Sequence, residues 1–313
     1  MYSGYDRVIP TLLLQHKTDV YSNMILGLYE MGLKILACNL CGSPDSKVLW
    51  VENGMNVVRC NNCGFSYSQA PPTGIVEVKD NAKVAFKKWE RKTRVYSQVL
   101  KLLKGKRGGS LVDVGCSTGN FMLSCKREGF QPIVGVEICE TRARFASGLG
   151  LTVFNCRLEE AALPDQSFDV ITYLEALEHI CIPVNELREA NRILRDGGVI
   201  VVEVPNLTFQ LFKAKVSRFL HIGHFCLMSD VHLVHFTDRT MRETLAKAGF
   251  ERIETTIRTH YLRQELPMLF KVFSVMFCCF AKLVRWVCGL SIGSAIIAIA
   301  QKGTGTNNTD FRL

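Results

Sequence analysis

Three sets of residues in this chain have types and spacings that could do chemistry. The first is four cysteines in two C-x2-C pairs, Cys38–Cys41 and Cys60–Cys63, with eighteen residues between the pairs. Thiolates at this spacing can close a tetrahedral shell around zinc. Gly42 and Gly64 follow the two pairs, as a tight knuckle requires. With every position taken by sulfur, such a metal is structural. The second set is Asp113, Gly115, Gly119 and Glu137. Leu111–Phe121 reads LVDVGCSTGNF, a β-branched run, a glycine turn and then an amphipathic stretch. That pattern predicts a strand, a tight turn and a helix N-terminus, where backbone N–H groups point outward and the chain approaches a ligand closely. The third set is Glu175, Glu178 and His179. On a helical turn these share a face, and two carboxylates with an imidazole could hold a divalent cation or supply a base. The plainer reading, that Glu178 and His179 cap a strand–helix junction and shape a pocket, is preferred, and His179 is kept as a pocket and catalytic candidate.

Glu137 ends the next strand, in VGVEI, 24 residues after Asp113. An acid there can accept hydrogen bonds from two ribose hydroxyls. The turn lacks the G-x-G-x-x-G of a dinucleotide site. Asp113, two residues before the first glycine, suits an amino group, as on a methionine-derived cofactor, better than a pyrophosphate. His232 and His235 lie in HLVHFT ahead of a helix. A neutral histidine suits proton removal from a hydroxyl, although a packed loop histidine is the commoner case. His221 and His224 are weaker candidates.

These residues need elements to hold them. Val48–Val51 and Met55–Arg59 alternate like two strands around Asn53-Gly54, a hairpin signal. Residues 79–105 are charged and helical in pattern. From residue 108 strands and helices alternate: strands at Ser110–Val114, Pro132–Glu137, Thr152–Phe154, Phe168–Tyr173, Val199–Val204, Glu251–Thr256 and Ala295–Ala300. Helices fall at Asn120–Glu128, Glu140–Leu149, Val184–Leu194 and Thr237–Ala248. This order predicts an α/β fold with a Rossmann-like, doubly wound sheet.

The bulk numbers set bounds. The chain has 313 residues, 48% hydrophobic and 21% charged, enough for one large domain and a small one. A net charge of +9 allows an anionic partner without selecting one. Thirteen cysteines, nine of them scattered, fit a reducing compartment rather than a disulfide framework. With no visible signal peptide, the expectation is a cytoplasmic protein. Residues 267–287 are apolar but interrupted by Lys271, Lys282 and Arg285. That pattern fits an interfacial helix, giving peripheral contact with the inner membrane face, or a buried C-terminal helix.

LVDVGCSTGNF, VGVEI, LPDQSFDVITYLEALEHI and ILRDGGVIVVEVPN together resemble the successive motifs of class I S-adenosylmethionine-dependent methyltransferases. The cysteine unit ahead, ending VVRCNNCGFSYSQAPPT, and the later DVHLVHFTDRTMRETLAKAGF are similar to a subgroup with an N-terminal zinc ribbon, often linked to polysaccharide or glycan synthesis. The resemblance covers most of 36–256. It implies that Asp113 and Gly115, with Cys116 and Gly119, line the methionine part of S-adenosylmethionine. Glu137 would hold the ribose, and Ile138, Leu158 and Glu159 would flank the adenine. It also places His232 near the acceptor. Cys116 departs from the usual glycine or alanine, and Ser117 from a common glycine. Quinone-biosynthesis O-methyltransferases have an E-x-x-E-H similar to Glu175–His179 and use it for metal.

The organisation expected is an extension of unassigned role over 1–35, a zinc ribbon over 36–72 and a helical connector over 79–105. A methyltransferase domain follows over 106–262 plus 295–302, with an apolar and basic segment over 263–294 and a tail over 303–313. The function expected is methyl transfer to a small-molecule, sugar, glycan-precursor or lipid-linked acceptor, with structural zinc at Cys38, Cys41, Cys60 and Cys63. The rivals are an RNA methyltransferase that grips nucleic acid through the ribbon and a non-catalytic scaffold of the same fold. The ribbon is not strongly basic, and strand four ends in TYLEALEH rather than a motif for base amines, so nucleic acid is disfavoured.

Overall fold

The computed structural model describes residues 37–52, 55–69, 82–90, 93–221, 227–229, 231–258 and 293–303. The N-terminal extension, the Asn53-Gly54 turn, His224, the 267–287 segment and most of the tail lie outside the described residues.

The cysteine unit is a small antiparallel sheet. β1 (Ser46–Glu52) pairs with β2 (Met55–Cys60), and β2 pairs with β3 (Ser66–Ser68). Glu52 faces Met55, so a two-residue connection joins them, the length that an Asn-Gly hairpin favours. Two helices follow, α1 (Ala82–Glu90) and α2 (Thr93–Leu102). Val95, Tyr96, Val99 and Leu103 of this stretch are buried against Leu111, Phe121 and Val170, so α2 is part of the main core.

The large sheet has seven strands. In chain order its first half is β4 (Leu111–Val114), α3 (Asn120–Arg127), β5 (Ile133–Val136), α4 (Glu140–Gly148), β6 (Thr152–Phe154) and β7 (Phe168–Leu174). Then come α5 (Pro183–Ile193), β8 (Leu194–Pro205) and α6 (Leu207–Leu220). The chain continues with β9 (Val234–His235), α7 (Asp238–Lys247), β10 (Phe250–Arg258) and β11 (Ala295–Lys302). The spatial order is β10-β11-β8-β7-β4-β5-β6. The strands from β8 to β6 run parallel, and β11 is antiparallel to both neighbours. From β4 the chain winds outward first through β5 and β6, then through β7 and β8. The reversal leaves a crevice at the carboxyl edge between β4 and β7, where such sheets bind ligands.

Besides α6, which the expected alternation did not include, two elements differ from the sequence expectation. β8 begins at Leu194 and carries Asp196-Gly197-Gly198 within it, because Gly197 takes φ +73 and the register with β7 shifts there. The second is β9, which leaves the large sheet to pair with β3: Ser66 faces His235 and Tyr67 faces Val234. The cysteine unit and the part of the chain that builds the large sheet therefore share a four-stranded sheet, β1-β2-β3-β9. Phe65 packs edge-on against Phe236 at 5.6 Å across this seam.

One buried ion pair braces the far side. Arg258, 7% exposed, lies 2.6 Å from Glu203, 1% exposed, and 3.8 Å from Glu175. Removing the cation takes this ion pair from a buried carboxylate. Arg258→Ala is expected to lower stability by about 3–5 kcal/mol, measured by chemical denaturation.

Candidate functional site

The glycine turn after β4 is built as its spacing predicts, and the reason is steric. Gly115 adopts φ +71 and Gly119 φ +79, a region that side chains disfavour. A Cβ on Gly115 would lie 2.6 Å from the Ala176 methyl, and one on Gly119 2.3 Å from Leu151 Cδ1. Cys116 is accommodated by a third glycine. A Cβ on Gly135 of β5 would sit 2.7 Å from the Cys116 sulfur, so the thiol occupies space that Gly135 leaves open.

The turn brings the two carboxylates to one place. Asp113, 3% exposed, accepts a hydrogen bond from the Thr172 hydroxyl at 2.6 Å. Glu137, 6% exposed, accepts from the Ser117 N–H and the Cys139 N–H, both at 2.8 Å. Burial pushes the Asp113 carboxyl up to about 7, against the Thr172 hydrogen bond and with help from the Glu137 charge. Tyr96, Asp113, Gly115, Cys116, Ser117, Asn120, Phe121 and Leu174 line a cleft here. Tyr96 and Phe121 wall it with rings 5.3 Å apart. Asn120 is fixed by the Thr118 hydroxyl at 2.7 Å and donates to the Phe86 carbonyl at 3.2 Å.

The residues expected to flank an adenine are placed differently from one another. Ile138 follows Glu137, and Asn155 donates to the carbonyls of both, at 2.8 Å to Glu137 and 3.0 Å to Ile138. The Leu158 side chain is buried in the core. Glu159 begins a short 3-10 turn and is exposed.

Glu175, Glu178 and His179 do not share one regular helical face. Glu175 takes φ +57 and reaches Arg258, while Leu177–His179 form a 3-10 turn. The third ligand-type residue is His232: donor atoms of Glu178, His179 and His232 lie within 4.8 Å of one another. His179 and His232 rings meet at 5.0 Å, and His232 and His235 at 6.4 Å. The turn is pinned to the later loop by the Leu233 N–H on the Glu178 carbonyl at 2.9 Å. His179 Nδ1 lies 2.8 Å from the Val231 carbonyl. Facing an acceptor, Nδ1 carries the proton, which leaves a lone pair on Nε2. Burial lowers His179 below its ordinary value. Burial and then the two neighbouring imidazoles lower His232 to about 3, and burial lowers His235 to about 4. Burial is the largest cause in each case and holds all three toward the neutral form near pH 7. His221 ends α6 and is exposed, away from this group.

The four cysteines converge. Cys38 and Cys63 sulfurs are 3.5 Å apart, as are Cys41 and Cys60, and all four lie within 4.8 Å. A tetrahedral zinc with bonds of about 2.3 Å needs sulfurs about 3.8 Å apart. The knuckles close through Gly42 N–H on the Cys38 carbonyl and Gly64 N–H on the Cys60 carbonyl. Burial pushes the Cys38 thiol up to about 11 and Cys63 well above its ordinary value. At Cys41 burial also pushes up, but hydrogen bonds from the Ser43 backbone, Cys63, Cys60 and Asn62 outweigh it and bring the thiol to about 7. Four sulfurs gathered this closely could hold a cation as thiolates.

The cysteine unit touches the histidine cluster through Ser68. Its hydroxyl lies 3.0 Å from the His232 carbonyl and 3.3 Å from His235 Nε2. Donation to the carbonyl leaves the Ser68 oxygen to accept from His235. Sequence reading had no access to Ser68, Tyr96 or Asn120, because their roles arise from strand pairing and helix packing.

Residues 86–255 match the family described as a methyltransferase domain. The match spans more than half of the chain, and the chain belongs to this family. It is 26% identical over 175 residues to a Mycolicibacterium smegmatis protein named "Probable S-adenosylmethionine-dependent methyltransferase", covering 54% of this chain and 61% of that one. It is 25% identical over 164 residues to the tRNA U34 carboxymethyltransferase of Desulfotalea psychrophila, covering 47% of this chain and 51% of that one. The chain thus spans about half to three-fifths of these curated relatives. The crystal structure of a SAM-dependent methyltransferase from Archaeoglobus fulgidus aligns at a TM-score of 0.50 and 20% identity, over 71% of this chain and 100% of that one, and shares the fold.

The turn is the part least able to accept a side chain. Gly115→Ala is expected to lower stability by about 1–3 kcal/mol through the left-handed φ and the Ala176 contact. Thermal or denaturant unfolding checks this.

Proposed function

We propose that the protein transfers the methyl group of S-adenosylmethionine to a sugar, a glycan precursor or a lipid-linked acceptor. The observation that carries the cofactor reading is the pair of buried carboxylates, Asp113 and Glu137, on either side of a glycine turn at the crevice. Asp113 faces a cationic amine, Gly115, Cys116 and Gly119 let the backbone approach, and Glu137 takes the ribose hydroxyls. Ile138 and the backbone at Leu158 and Glu159 flank the adenine. The cofactor supplies an electrophilic methyl on a sulfonium, and what the chain must do is align an acceptor and receive its proton. His179 is the base: its Nδ1–H is held by Val231, which aims the Nε2 lone pair. His232 positions it and excludes water. A hydroxyl acceptor suits a neutral imidazole, which favours the sugar or lipid-linked class.

Cys38, Cys41, Cys60 and Cys63 hold a structural zinc in this reading. It supplies charge neutralisation and closes the fold of a unit too small to bury a core of its own.

The test is incubation with methyl-labelled S-adenosylmethionine and cell extract separated into glycan, lipid, RNA and protein fractions. Label in glycan or lipid that Asp113→Asn removes supports the reading. Label in RNA overturns the acceptor class, and absence of cofactor binding overturns the enzyme reading. Asp113→Asn is expected to weaken cofactor binding by about 10- to 100-fold, the worth of a charge-assisted hydrogen bond.

Cofactor affinity should also depend on pH. In the free protein Asp113 titrates near 7, and a cationic ligand binds only the ionised form well. The affinity is therefore full above pH 7 and falls as pH drops through it, by up to about tenfold per unit. Calorimetric titration across pH 5.5–8.5 checks the sign, and Asp113→Asn should flatten the profile.

Metal analysis should find about one zinc per chain, lost in Cys60→Ser. Because β3 carries β9, chelation should depress methyl transfer more than cofactor binding. Equal loss of both would place the metal's role in overall folding.

A further inference from the structure

Helix α6 presents an apolar face to solvent that no contact inside the described protein explains. Phe212, Val216, Phe219 and Leu220 are 60%, 36%, 82% and 52% exposed. They are four of the twelve strongly exposed large apolar side chains among the described residues, gathered on one helix of fourteen residues. On a helix of 3.6 residues per turn they cover an arc of about 100°. Lys215 borders that arc on one side and Lys213 on the other. Lys213 lies over the Phe209 ring at 4.9 Å, and exposed Arg218 lies 5.8 Å from the Trp50 ring. No acidic residue occurs between Glu203 and Asp230.

The helix is held firmly with this face outward. Leu207, Ala214 and Ser217 are buried on its opposite side, and Leu207 and Leu211 pack with Val57, Trp50 and Leu227. Its N-cap, Asn206, accepts from the Thr208 N–H at 3.1 Å and donates to the Gly293 carbonyl at 3.0 Å.

We propose that α6 is a membrane-docking surface: its aromatic face enters the interface of an anionic bilayer, and Lys213, Lys215 and Arg218 meet lipid headgroups. An apolar arc bordered by cations on both sides is the pattern of a helix lying in a lipid interface. With fourteen residues α6 is too short to cross a bilayer, so its contact lies on the surface. A second copy of the chain fits less well, since symmetric pairing sets these cations against their own equivalents with no acid on the helix to answer them. α6 also leaves the sheet at the carboxyl edge of β8, the edge that bears the crevice. The inference does not depend on the acceptor.

The test is co-sedimentation of the full chain with phosphatidylcholine vesicles, with and without phosphatidylglycerol. Binding is expected on the anionic vesicles and is weakened by salt. The paired substitution Phe212→Ser and Phe219→Ser should lower partitioning at least about tenfold, with Tm and S-adenosylmethionine binding unchanged. A separate variant, Phe219→Trp, keeps the face apolar; its added fluorescence should shift blue and be quenched by brominated lipid. The proposal is overturned by absence of vesicle binding or by binding that the paired substitution leaves intact. It is equally overturned by a concentration-dependent dimer or an RNA complex that the same substitution abolishes.

Discussion

The pairing of β3 with β9 is the contact on which the arrangement of the histidines depends. β9 has two residues, Val234 and His235, too few to persist as a strand without a partner edge. Its partner comes from the cysteine unit, through Ser66 and Tyr67. Ser68 then holds the backbone of His232 and the ring of His235, and Phe65 closes on Phe236. Further out, Glu52 accepts from the backbone N–H groups of Leu227 and Met228, at 2.6 and 3.0 Å. Lys247 donates to the Leu40 carbonyl at 2.9 Å, and Asn39 to that of Cys181 at 2.6 Å. The seam thus ties both flanks of the loop that carries His232.

The carboxylate pair rests on different supports. Asp113 and Glu137 sit at the ends of central parallel strands and draw their geometry from the main sheet and the glycine turn. Their surroundings differ. Glu137 accepts from two backbone N–H groups, those of Ser117 and Cys139. Asp113 has one hydroxyl donor and full burial, and the burial disfavours its charge. One acid is thus committed to accepting hydrogen bonds, and the other is poised to change its charge when a cation arrives.

Much of this was legible in the sequence where local chemistry decides the outcome. The glycine turn, Glu137 at the end of the next strand and the αβ alternation follow from positive φ, burial and periodicity over short windows. The C-x2-C pairs announce convergence because a knuckle is a local shape. The features that sequence left hidden are all products of distance along the chain. Ser68 meets His235 across 167 positions. Gly135 makes room for Cys116 from a neighbouring strand, so the apparent oddity at Cys116 is compensated where no motif would show it. Glu175 does not join His179 on a helical face: it takes φ +57 and lies 3.8 Å from Arg258 of β10, far along the chain. Helix α6 escaped notice because an amphipathic pattern does not say which face is buried: its most apolar residues point outward, and Leu207, Ala214 and Ser217 point in.

A division of labour follows from these supports. A cysteine unit of about 40 residues lies at the limit of what folds without a metal, a disulfide or a partner. With zinc it gains a rigid knuckle pair, and through β3 it lends that rigidity to β9. The histidine cluster is therefore ordered by a unit that lines no part of the cleft at Asp113. Burial is the largest cause that keeps those histidines neutral, and at His179 the Arg142 charge adds to it while Glu175 opposes it. A ribbon fused ahead of a methyltransferase sheet in this way does not need to grip a macromolecule to matter for catalysis. Under the proposed function, completing one wall of the acceptor site and keeping it dry is a sufficient physical role.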